Sequence, residues 1–81
     1  MECSGLRQKF EAEKQRGLDY RRTLEISQEV ERSIEVQRRH LKEMEAGGGS
    51  RQEISKLKTC INKDEDLLQA VKYELHGLSG I

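Results

Sequence analysis

The sequence predicts an all-α protein: an antiparallel two-helix coiled-coil hairpin that dimerises into a four-helix bundle. Three observations predict it. Apolar residues recur every three or four positions on both sides of one glycine-rich break, the spacing of helices with an apolar face. The chain has no proline and is 37% charged against 33% hydrophobic, too little apolar material for a deep globular core. Lysine plus arginine and aspartate plus glutamate number 15 each, and both signs are mixed throughout. That balance marks solvated helices, whereas disorder usually comes with a large net charge.

The first element is a long helix over residues 1–46. Its stripe of apolar or small residues runs through Cys3, Leu6, Phe10, Gly17, Tyr20, Leu24, Ser27, Val30, Ile34, Leu41 and Met44. Glu13 and Gly17 interrupt it, and the phase slips between Leu24 and Ile34, as at a stammer. Leu18, Ile26 and Val36 lie off the stripe and form a second apolar strip, which implies more than one neighbour.

The break is Gly47-Gly48-Gly49-Ser50. Each glycine costs about 1 kcal/mol in a helix interior relative to alanine, so three in a row end the helix. Residues 47–50 also match the flexible linkers that protein engineers use, so two joined fragments are the expectation here.

The second element covers residues 51–81, a helix over Arg51–His76 with a short tail. Ile54, Leu57, Ile61, Asp64, Leu68, Val71, Leu75 and Leu78 alternate steps of three and four without a break. This is a heptad seam with one polar member, Asp64, the residue expected to set register. Ser50 and Glu53 fit a capping box. Gly77 after His76 fits a left-handed cap.

Geometry dictates the pairing. A helix of about 26 residues is ~39 Å long, and residues 47–50 reach ~14 Å at most, so the two helices must run antiparallel. Leu57 then faces the Leu41 region, Leu68 faces Val30, Leu75 faces Leu24, and Asp64 falls near Ser33 and Arg32. Residues 4–16, carrying Leu6 and Phe10, overhang the hairpin. Burying them calls for a second copy.

Other chemistries find little support. No nucleophile sits in a recognisable motif, and the glycines lack the lysine and spacing of a phosphate loop. No cofactor is expected. Cys3, Cys60, His40 and His76 are the only soft metal ligands, and the antiparallel register brings no pair of them together, so no metal is expected. Cys60 is expected to pack as a small apolar group beside the seam. The doublets Arg21-Arg22 and Arg38-Arg39 are interleaved with acids, unlike the basic stripe of a nucleic-acid binder. No segment approaches the ~20 apolar residues of a membrane span. The N-terminus lacks the apolar core of a signal peptide, and two cysteines without CxxC spacing favour a reducing compartment.

The expectation is a non-enzymatic assembly module of an intracellular scaffold, cytoskeletal or chromosome-linked complex, partnered by itself or by another coiled-coil protein. A captured pair of two different proteins, and an adaptor whose Leu6/Phe10 arm docks on a partner, are the alternatives.

Overall fold

The computed structural model describes residues 5–78, which form three α-helices and no strand. They are α1 (Leu6–Arg16), α2 (Tyr20–Glu43) and α3 (Arg51–Leu78). Cys3, Ser4 and Ile81 lie outside the described residues.

The single helix expected over residues 1–46 is two helices. Gly17 stops α1 with φ 97 and ψ 116, dihedrals that an L side chain rarely adopts, and its N–H closes on the Lys14 carbonyl at 3.2 Å. Asp19 then starts α2. Its Oδ1 accepts the Arg22 N–H at 2.7 Å, and the Thr23 hydroxyl donates to its carbonyl at 2.7 Å. The chain reverses between these two signals.

Reversal lays α1 against the other two helices. Lys9 reaches Glu29 and Glu13 reaches Arg22, so α1 runs antiparallel to α2. Phe10 enters the cleft between α2 and α3, among Ile26, Val30, Ile34, Leu67 and Val71, with Leu6, Leu18, Leu68 and Ala70 around the edge. Fully burying a phenylalanine contributes about 1.5–3 kcal/mol. The overhang expected to need a second copy is therefore covered by the chain itself.

α2 and α3 run antiparallel, as Ser33 with Asp64, Arg38 with Glu65 and Glu45 with Lys58 show. They are joined by a tight turn over Met44–Gly48, in which Gly47 leaves the helical region with φ 130 and ψ 3. The Gly49 N–H bonds to the Met44 carbonyl five residues back, at 3.3 Å. Ser50 then caps α3: its Oγ accepts the Glu53 N–H at 3.1 Å, and its hydroxyl donates to the Glu53 carboxylate at 3.1 Å. The Glu53 carboxylate thus turns to the serine hydroxyl, where a full capping box would aim it at a backbone N–H.

Two further expectations change. α3 does not stop before Gly77 but continues to Leu78, because one glycine in a fraying last turn costs little. Cys60 is buried as expected, yet it is disulfide-bonded.

The glycines of the turn are not interchangeable. A Cβ on Gly49 would lie 2.8 Å from the Met44 side chain, whereas one on Gly48 would meet only the Glu43 carbonyl at 3.4 Å. Overpacking of this kind costs about 1–3 kcal/mol. Gly49→Ala is expected to lower the urea midpoint well below that of Gly48→Ala. Equal midpoints would mean that residues 47–50 act as an inert spacer.

Candidate interaction surface

Of the residues expected at an interface, the structure buries Phe10, Val30, Ile34, Met44, Leu57, Ile61 and Val71 within the chain. Leu6, Leu24, Leu41, Ile54, Leu68 and Leu75 are half-buried. Tyr20, 48% exposed beside the chain reversal, and Leu78, 40% exposed at the end of α3, face solvent. The seam is thus largely spent inside one molecule. Two buried residues, Leu67 and Thr23, were not expected, whereas Ser27 lies on the expected stripe. Leu67 is fully covered because α1 lies over its side of α3, next to the seam position Leu68. Thr23 and Ser27 are buried with their hydroxyls turned back onto the carbonyls of Asp19 and Leu24.

Asp64 sits at a polar node that divides the apolar interior in two. It is 4% exposed. Its Oδ2 accepts from the Gln37 amide at 2.9 Å and from the Ser33 hydroxyl at 3.4 Å, and the same Gln37 nitrogen reaches Ser33 Oγ at 3.2 Å. On one side lies the Phe10 cluster. On the other, Met44, Leu57 and Ile61 pack with Leu41 and Ile54, a cluster to which α1 contributes nothing.

Three ion pairs hold α1 down: Lys9–Glu29 at 3.1 Å, Glu13–Arg22 at 2.6 Å and Lys14–Glu74 at 2.9 Å. The Glu13 pair is bidentate, with Arg22 also bridging to Glu25. The hydrogen bonds from Arg22 hold the Glu13 carboxyl below its ordinary value of 4.5, against a smaller opposing effect of burial. The bond to Glu74 pushes the Lys14 ammonium up. Lys14 Nζ also lies 5.9 Å from the Phe10 ring centre, within cation–π range. These groups are solvated, so each pair is weak alone and acts mainly by orienting α1.

Two grooves lie open among the described residues. On one face of α2 and α3 a groove of about 590 Å³ is lined mainly by charge, including Arg32, Glu35, Arg38, Glu65 and Lys72. At the turn end a smaller groove of about 260 Å³ is lined by Val36, Gln37, His40, Met44, Glu53 and Leu57. Val36 stands 62% exposed there, and the buried Gln37 Oε1 beside it has no donor. Arg22 and Arg38 of the basic doublets are tied up with Glu13, Glu25 and Glu65. Among the described residues no cluster of three or more His, Cys, Asp or Glu is placed to hold a metal, and no helix is long and apolar enough to cross a membrane.

Two outcomes follow from this geometry. Asp64→Ala leaves the Gln37 amide without its carboxylate and is expected to cost about 1–3 kcal/mol in urea unfolding. A midpoint unchanged from wild type would show that the node adds nothing. The Glu13 carboxyl is depressed when α1 is docked, so its contribution is complete above 4.5 and fades as pH falls through its docked value. Amide exchange in α1 should therefore accelerate below that pH while exchange at the centres of α2 and α3 holds. Uniform acceleration across all three helices would count against a separate role for the pair. Comparison with family models, with curated proteins and with solved structures finds no match for this chain.

Proposed function

We propose that this chain is a non-enzymatic helical assembly module that joins a second copy of itself through the turn-end face of α2 and α3. The observation that carries this reading is the unequal covering of the α2–α3 pair. The far end is closed by three helices, the turn end by two. At the two-helix end an apolar side chain, Val36, stands in solvent beside the groove holding Met44 and Leu57.

A second molecule placed there supplies the missing helices and completes a four-helix layer, the arrangement that an antiparallel helical pair adopts when its own core is shallow. The seam of α3 and the stripe of α2 then form a coiled-coil hairpin in the packing sense, with charged flanks selecting the partner. Such a module serves as a connector in a larger scaffold. The adaptor alternative has less support, because Phe10 lies in the chain's own core. The disulfide on Cys60 removes the ground for expecting a reducing compartment.

Light scattering over a range of concentrations tests the reading. The wild-type chain should show a mass rising to that of a dimer or above. Val36→Glu should hold it at one chain without loss of helical circular dichroism. A wild-type chain that stays monomeric at every concentration would end the proposal.

A further inference from the structure

We propose that α1 is an exchangeable arm: the cleft between α2 and α3 that holds it also accepts α1 of a second copy, giving a dimer in which the two arms are traded. This goes beyond the turn-end association above and uses a different surface.

Three observations carry it. First, once the Cys60 disulfide is reduced, α1 is held to its own chain by one buried side chain and three solvated ion pairs. Phe10 is its one buried residue, and the 11 residues of α1 are too few to stay helical in water unaided. Its helicity therefore depends on a docking cleft, whichever molecule provides it.

Second, that cleft is complementary to α1 in charge as well as shape. Each tie joins opposite charges across helices: Lys9 with Glu29, Glu13 with Arg22, Lys14 with Glu74. A second copy presents the same set.

Third, the closed form rests on one backbone conformation. Gly17 and Leu18 lie between α1 and the Asp19 cap, and Gly17 holds φ 97 and ψ 116. Returning Gly17 and Leu18 to helical dihedrals removes the reversal and projects α1 along the axis of α2, away from its own cleft. Short connections of this kind favour exchange between copies. A Cβ at residue 17 would meet nothing within 4 Å, so a substitution there acts through the dihedral alone.

The test uses two full-length chains, with reductant present so that the Cys60 disulfide places no restraint on the arm. One carries Glu13→Arg and Lys14→Glu. The other carries Arg22→Glu and Glu74→Lys. Alone, each chain sets like charges against each other at both positions, in the closed form and in a dimer of identical chains. Mixed, each arm meets opposite charges on the other molecule. Light scattering should find mainly a one-to-one heterodimer in the mixture. The dimer fraction should exceed that of either chain alone by roughly an order of magnitude. Helicity lost in either chain alone and regained on mixing supports the proposal equally. In the wild-type background, Gly17→Ala penalises the closed form and should raise the dimer fraction.

A mixture whose mass is the average of its two components overturns the exchange, as does a Gly17→Ala chain that melts earlier with no change in mass. Running the mixture in the Val36→Glu background separates the two proposals. A heterodimer there supports arm exchange without turn-end association. Wild-type association that Val36→Glu abolishes, with no heterodimer on mixing, refutes arm exchange and leaves the turn-end reading standing.

Discussion

The docking of Phe10 into the cleft between α2 and α3 is the contact on which the rest of this structure depends. Two amphipathic helices alone share a narrow seam. Here Ile26 and Leu67 sit beside that seam, and a two-helix pair would leave both half in water. Phe10 covers them, turning a seam into a core of six buried side chains. The choice of Gly17 follows from the same contact, since α1 reaches the cleft only if the chain reverses within residues 17–19. So do the three ion pairs, which line the edges of a helix already placed by its one buried ring.

Much of this was legible in the sequence, for reasons that are themselves local. α3 declares itself by an unbroken three–four repeat and a serine cap, and its length against a short connection forces the antiparallel direction. The position of Asp64 opposite Ser33 follows from that register alone, and the structure joins them by a hydrogen bond. The second apolar strip containing Ile26 correctly announced an extra neighbour. Its source was misplaced: a second copy was expected where α1 supplies the cover. A single glycine in a helical pattern costs about 1 kcal/mol whether the helix bends or continues, so Gly17 alone could not decide between them. The decision came from Phe10 meeting residues sixteen and more positions away, which no local pattern reports. The Leu67-Leu68 doublet failed for the same reason. Either leucine suits the seam, and only the position of α1 selects Leu67 for full burial. Thr23 was missed because its burial rests on a hydroxyl satisfied by the Asp19 carbonyl.

The polar node gives this small core a defined register. Apolar seams slide easily, because one leucine is much like the next. Asp64 opposes sliding, since its carboxylate is buried and bonded to Ser33 and Gln37. A slip of one helical turn would bring it between Val30 and Ser33 in one direction or between Gln37 and Leu41 in the other, removing one of its two donors from a buried carboxylate, which costs about 1–3 kcal/mol. The node also insulates the two ends from each other. The far end packs around its short helix and the turn end keeps its own packing, because among the described residues the cluster beyond Asp64 includes no residue of α1. A chain too small for a deep core thereby keeps one fixed alignment along its length, with one end packed by three helices and the other by two.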